Sequence, residues 1–272
     1  MSIPVACTIA GSDSGGGAGI QADIKSMQAN GVFAASVLTA ITAQNTQAVT
    51  EAVNLPVPVI QAQFRAVTED ISVSAFKTGM LSSSDIISAV ATMLVDHTDV
   101  PLVVDPVMIS KSGFSLLADD AVDVLIFELL PLATVCTPNA QEAERLTGRS
   151  IQSADEAEEA ARHIHGMGPS AVLVKGGHLE DEADAVDVLF DGKEVHRFRS
   201  ERIDTPHTHG TGCTYASAIA SHLARGFDLR ESVERSKRYV TGAIRAGLPI
   251  GGGHGPTDHY WFLRDSDRFP FA

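Results

Sequence analysis

"LVVD", residues 102–105, is a run of three apolar residues ended by an acid, with Pro106 next. A strand that is apolar at every position is buried on both faces. That situation belongs to a parallel sheet covered by helices on two sides, whereas a sheet with one wet face would alternate. Ligands of open α/β sheets bind beyond the carboxyl ends of the strands. The stretch therefore indicates both a fold class and an edge at which to look for function.

Working outward, strand-length apolar runs recur at 5–10 ("VACTIA"), 33–42 ("FAASVLTAIT"), 73–79 ("VSAFKTG"), 133–137 and 171–177 ("AVLVKGG"). Helical patterns alternate with them. Residues 17–30 carry Ile20, Ile24 and Met27 on one stripe and end at Asn30-Gly31. A helix opening near Pro58 carries Ile60, Phe64 and Val67, and one opening at Ser84-Asp85 carries Ile86, Val90 and Leu94. Further helices are predicted over 118–130, 139–147, 153–167, 212–225 and 230–246. "VTEAVNL" follows the second strand, and "GGGHGP" (251–256) reads as a loop. "DVLFDGKEVHRF" (187–198) holds an Asp-Gly between two alternating runs, a strong hairpin signal. Alternating strand–helix units predict an α/β fold with a mostly parallel, doubly wound central sheet. Helices flank both faces, a small antiparallel hairpin lies near the end, and no linker or repeat divides residues 1–272, which read as a single domain.

Bulk properties narrow the partners. Apolar residues make up 44% and charged residues 20%, a globular balance. The net charge is -14. Duplex binding needs a basic face to replace counterions, so nucleic acid is an unsuitable partner. Cys7, Cys136 and Cys213 are odd in number and far apart, which disfavours a disulfide framework or a structural zinc site and fits a reducing compartment. The start "MSIPVACTIAGSD" lacks a basic leader with a long apolar stretch, and no apolar run approaches the roughly 20 residues of a membrane span. These features together predict a cytoplasmic chain.

Candidate chemistry lies just after the strands. In "AGSDSGGGAGIQAD" (10–23), Gly17, Gly19 and Ala22 match the loose dinucleotide pattern G-x-G-x-x-G/A. The acid that would hold a ribose is missing, because the second strand ends in "TAQNT" with Gln44 and Asn45. A P-loop also fails, since no Lys-Ser or Lys-Thr follows Gly16. Glycines here permit close ligand approach or simply a flexible turn. Asp13 and Asp23 add acceptors, Asp23 in the first turns of a helix whose dipole already favours a carboxylate.

Asp105 at the sheet mouth can hold Mg²⁺ directly or through water, or serve as a strand-end turn acid. In "TPNAQEAERL" (137–146), Asn139 and Glu142 have capping-box spacing, and both can also face the crevice beside a hydrated ion. Lys175 ends an apolar strand and is followed by two glycines, which suits an anion; a snorkelling surface lysine is the alternative. "HGTGC" (209–213) leads into a helix start, where free N–H groups carry partial positive charge. That field lowers a cysteine pKa. Cys213 can be a base toward a hydroxyl, a nucleophile or a small buried helix residue. His207, His209 and His178 read as loop or wall residues, with no convincing further ligand for a metal.

The set of motifs "TIAGSDSGGGAGIQAD" (8–23), "SVLTAITAQNT" (36–46), "KTGML" (77–81), "DPVM" (105–108), "TPNAQEAERL", "VLVKGGH" (172–178) and "HGTGC" resembles the hydroxymethylpyrimidine/phosphomethylpyrimidine kinases of thiamin biosynthesis, in the ribokinase-like superfamily. The matches span nearly the whole chain in order. The resemblance implies a ribokinase-like fold, usually a homodimer, using ATP and Mg²⁺ on a small pyrimidine alcohol and then on its monophosphate. It implies that Asp23 and Gln44 read the aminopyrimidine and that Gly11, Met80 and Val107 line its pocket. Asp105, Asn139 and Glu142 would organise Mg²⁺, with Asn139 and Gly212 also beside the nucleotide. Lys175 would meet the ATP phosphates, and Gly210, Thr211, Gly212 and Cys213 would form the anion hole. Sugar kinases of the superfamily mostly carry aspartate as the base at this loop; the pyrimidine kinases carry cysteine, as here. The third glycine of "GSDSGGGAG" departs from the Ser-Gly-Gly of relatives. Competing readings are a pyridoxal kinase of the same superfamily, a non-catalytic pyrimidine-binding protein and a dinucleotide oxidoreductase, the last opposed by the missing ribose acid.

Overall fold

The computed structural model describes residues 3–264 apart from 110–112, 114, 119, 178, 180 and 181. In chain order the strands are β1 (Val5–Asp13), β2 (Phe33–Gln44), β3 (Val49–Asn54), β4 (Ala75–Thr78), β5 (Leu102–Val104), β6 (Val135–Cys136), β7 (Val172–Val174), β8 (Ala185–Phe190) and β9 (Val195–Ser200). The helices are α1 (Gly19–Ala29), α2 (Val57–Thr68), α3 (Ser84–Leu94), α4 (Ala121–Val124), α5 (Ala140–Thr147), α6 (Ala154–His165), α7 (Thr211–Ala224), α8 (Leu229–Arg245) and α9 (Trp261–Arg264).

The strands form one nine-stranded sheet in the order β3-β2-β1-β4-β5-β6-β7-β8-β9. The apolar run at 102–104 is its middle strand, parallel to β4 on one side and β6 on the other. Alternation of side chains across the sheet explains why that run is apolar throughout. Leu102 and Val104 point into one core with Ile60, Phe64, Ile87 and Ile164 from α2, α3 and α6. Val103 points into the opposite core with Met27, Ile219 and Val240 from α1, α7 and α8.

Two features differ from the sequence reading. "VTEAVN" is strand β3, antiparallel to β2, so a second antiparallel hairpin lies at the far edge of the sheet. It is mostly exposed, which is why its residues carry no apolar pattern. The helix expected over 118–130 is only α4, followed by a wide turn at Leu125–Leu129 and a tight one at Leu130–Leu132. Pro131 lies in that tight turn; it lacks an N–H and its ring obstructs a continuing helix. The Asp-Gly hairpin is present as β8–β9. Among the described residues no helix is long and apolar enough to cross a membrane.

Candidate functional site

The carboxyl ends of β1, β4, β5 and β7 open into a cavity of about 640 Å³. Gly11, Gln44, Met80, Asp105, Val107, Asn139, Glu142, Lys175 and the run Gly210–Cys213 all line it. Segments separated by as much as the length between Gly11 and Cys213 therefore meet at one rim.

Its floor beside the sheet is built around two glycine turns that touch. Gly210 caps α7 with φ 78, in the left-handed region that favours glycine, and a Cβ there would lie 1.8 Å from the Gly17 carbonyl oxygen. Asp13 holds the first turn in shape. Its carboxylate accepts from the backbone N–H of Gly15 (2.8 Å), Gly17 (3.0 Å) and Ala18 (2.7 Å), and lies 3.0 Å from His209 Nε2. His209 Nε2 also lies 3.3 Å from the Gln44 side-chain nitrogen. The histidine is thus a strut between the glycine turn and the residue expected to read the ring.

Burial would raise the Asp13 pKa, but the His209 hydrogen bond and the Ala18 and Gly15 N–H groups outweigh it and hold the carboxyl low. A carboxylate with a depressed folded pKa stabilises above its unfolded pKa of about 3.9 and loses that effect as pH falls further. Asp13→Asn is expected to cost about 1–3 kcal/mol at pH 7 in urea unfolding, with the gap from the parent shrinking below about pH 4. Equal midpoints at pH 7 would show that Asp13 does not hold the turn.

At the other wall, Lys175 Nζ donates to Asp105 Oδ1 at 2.7 Å, and Thr137 Oγ1 reaches the same oxygen at 3.2 Å. Burial pulls the Lys175 ammonium down, yet Asp105 and Glu142 more than offset it and keep the pKa raised. A Cβ on Gly212 would stand 3.4 Å from Lys175 Nζ and 3.7 Å from Asp105 Oδ2. The start of α7 therefore faces the lysine across a space that a side chain would fill. No side chain caps α7, and the Thr211 N–H already donates to the Thr208 carbonyl at 3.3 Å, so the amides of Gly212 and Cys213 are the ones turned toward the cavity's phosphate end.

Two sequence expectations need correction. Asp23 does not line the cavity. It is fully buried and its oxygens accept from Thr8 Oγ1 (2.6 Å), Ser217 Oγ (2.6 Å) and Lys77 Nζ (2.9 Å), so no lone pair faces a ring. Cys213 is part-exposed, but burial pushes its thiol up to about 12; Lys77 pulls it down, while Asp23 and Asp105 push it further up. Burial therefore opposes the lowering expected from the helix start.

Asn139 and Glu142 form the capping box that their spacing predicted, and both also line the cavity. Asn139 Oδ1 accepts from the Glu142 N–H at 2.9 Å, and Glu142 Oε2 accepts from the Asn139 N–H at 2.8 Å. Among the described residues no group of three or more His, Cys, Asp or Glu side chains stands together as a metal site. Mg²⁺, however, keeps several waters and takes one or two carboxylates plus phosphate oxygens. Asp105, with Oδ2 toward the α7 start, fits that demand. Glu142, raised to about 7 by burial against the pull of Lys175, fits as a partner through water.

Sequence reasoning missed the strut role of His209 and passed over Lys77. Lys77 is a fully buried lysine in strand β4 and lines the cavity. The signal was available, since a lysine within an apolar strand was the argument made for Lys175. His178 lies outside the described residues.

An uncapped helix start opposite a paired lysine and aspartate, at the carboxyl edge of a doubly wound sheet, suits the phosphate groups that an α/β phosphotransferase handles. The sequence profile described as phosphomethylpyrimidine kinase matches residues 13–258, and the chain belongs to that family. A hydroxymethylpyrimidine/phosphomethylpyrimidine kinase of Streptomyces coelicolor is 53% identical over 260 residues, covering 96% of each chain. The ADP complex of Bacillus subtilis pyridoxal kinase superposes with a TM-score of 0.89 at 38% identity, over 96% of this chain and 99% of that one. A phosphomethylpyrimidine kinase of Clostridium difficile superposes with a TM-score of 0.79 at 45% identity, over 89% of this chain and 100% of that one.

Proposed function

We propose that the chain transfers the terminal phosphoryl group of ATP to the hydroxymethyl group of 4-amino-5-hydroxymethyl-2-methylpyrimidine, and then to the resulting monophosphate, in thiamin biosynthesis. The observation that carries this reading is the convergence of Gly210–Cys213, Lys175 and Asp105 on one cavity with Gln44, Met80 and Val107. Phosphoryl transfer is mostly positioning and charge stabilisation. The α7 amides at Gly212 and Cys213 and the Lys175 ammonium would hold phosphoryl oxygens. Mg²⁺ bound at Asp105, with Glu142 behind water, would supply charge neutralisation between phosphates. Asn139 would keep Glu142 oriented through the capping box. Gln44 would hydrogen-bond the aminopyrimidine edge against the apolar wall of Met80 and Val107, and Gly11 would leave space for the ring. Cys213 Sγ would accept the hydroxyl proton. The whole of residues 1–272 would act as one catalytic unit, in the cytoplasm and as a homodimer.

The test is ATP consumption with the hydroxymethylpyrimidine, its monophosphate and pyridoxal side by side, with and without Mg²⁺. Turnover of the first two, lost without Mg²⁺, supports the reading. Turnover of pyridoxal alone would favour the second reading, to which the likeness with a pyridoxal kinase lends weight. Binding without ATP consumption would sink both. Gln44→Leu is expected to raise KM for the pyrimidine about 10-fold, the worth of a lost hydrogen bond, and to change kcat less. An unchanged KM would remove Gln44 from ring recognition.

A further inference from the structure

Lys77 stands in β4, where every residue is buried, and it has no exposed surface of its own. A buried ammonium requires a counter-charge. Asp23 supplies it, with both carboxylate oxygens 2.9 Å from Nζ. The same carboxylate is braced by Thr8 from β1 and by Ser217 from α7. Asp23 is thereby saturated and walled off. Lys77 reaches the cavity wall, and Asp23 is its only hydrogen-bond partner among the described residues. Glycine at 79 leaves it room, because a Cβ there would lie 2.8 Å from Nζ.

Helix α7 brings this pair to the thiol. Cys213 and Ser217 are one turn apart and so share a helix face. Since Ser217 Oγ donates to Asp23, that face is turned toward the Asp23–Lys77 pair. The charged groups acting on Cys213 are Lys77 from β4, Asp23 from α1, Asp105 beyond β5 and Lys175 beyond β7, together with the backbone N–H of Gly19. Among them Lys77 exerts the largest pull toward the thiolate.

We propose that Lys77 is a positioning residue whose ammonium, fixed by Asp23 and Ser217, stabilises the thiolate form of Cys213. Its use in catalysis rests on the reading of Cys213 as base. In that step the hydroxyl proton passes to Sγ, a bond forms between the hydroxyl oxygen and the transferred phosphorus, and the bond from that phosphorus to the departing ADP oxygen breaks. The field of Lys77 lowers the cost of the charged form of Sγ that accepts the proton, against the burial that raises it. Its pairing with Asp23 keeps the ammonium from simply deprotonating in a dry setting.

The experiment is the rate of Cys213 alkylation by iodoacetamide between pH 7 and 9, followed by mass on the Cys213 peptide. Cys7 and Cys136 have no exposed surface and do not compete. Lys77→Met combined with Asp23→Asn removes both charges, so that neither is left buried alone, and the asparagine retains hydrogen-bonding groups for Thr8 and Ser217. The double variant is expected to alkylate about 3-fold more slowly than the parent, because Lys77 pulls the thiol toward the thiolate more than Asp23 opposes it. A merely structural ion pair would leave the two rates equal, or faster in the double variant, and either result overturns the proposal. If that variant does not fold, Lys77→Gln combined with Asp23→Asn carries the same comparison with the parent: slower supports, equal or faster overturns. Kinase turnover of Cys213→Ser is read separately. Its retention would end the base reading without altering the alkylation result.

Discussion

Cys213→Ser is expected to lower kcat for pyrimidine phosphorylation by about 10²–10⁴-fold, the usual cost of a positioned acid/base group. Serine is nearly isosteric and keeps the α7 start intact, but its hydroxyl cannot become an anion under the same field. The pH dependence sharpens the test. Burial pushes the thiol up to about 12, so its reactive form grows as pH rises. The parent kcat/KM, which reports the free enzyme, should climb through pH 6–9 without a plateau from this group, and the climb should vanish in the serine variant. Full turnover in Cys213→Ser would remove the thiol from the chemistry and leave the helix start and Lys175 as the working parts.

Lys175→Met is expected to cost about 10²–10³-fold in kcat, comparable to losing one preorganised donor to a developing charge. The same change strips the 2.7 Å partner from Asp105, whose side chain is 2% exposed. An orphaned buried carboxylate costs about 3–5 kcal/mol, so a drop in thermal midpoint should accompany the loss of activity. Adding Asp105→Asn to Lys175→Met should restore much of the stability and none of the turnover. A double variant that recovered turnover would mean that the lysine serves only to balance the aspartate.

What could be read from the chain follows the range of the forces involved. The run at 102–104 is legible because a strand covered on both faces must be apolar at each position. The capping box at Asn139 and Glu142 is legible because its hydrogen bonds close within one helical turn. Asp191-Gly192 fixes a hairpin locally in the same way. Strand β3 escaped because an exposed edge strand is held by its ladder to β2, which leaves no apolar imprint. The role of Asp23 was misread for a different reason. Its partners lie up to 194 residues away, and nothing local distinguishes a carboxylate that faces a ligand from one enclosed by lysine, serine and threonine. Cys213 combines both cases. The helix start that favours a thiolate is a local feature, whereas the burial that opposes it comes from the whole assembled cavity.

The central claim is that chain segments remote from one another build a single phosphate-transfer site around the start of α7. The most direct test is a crystal structure with a non-hydrolysable ATP analogue and the hydroxymethylpyrimidine bound together. The account predicts terminal phosphates on the Gly212 and Cys213 amides and Lys175 Nζ, with the hydroxymethyl oxygen beside Cys213 Sγ and the ring at Gln44. Nucleotide phosphates seated on another surface, with the cleft between Gly212 and Lys175 vacant, would contradict it.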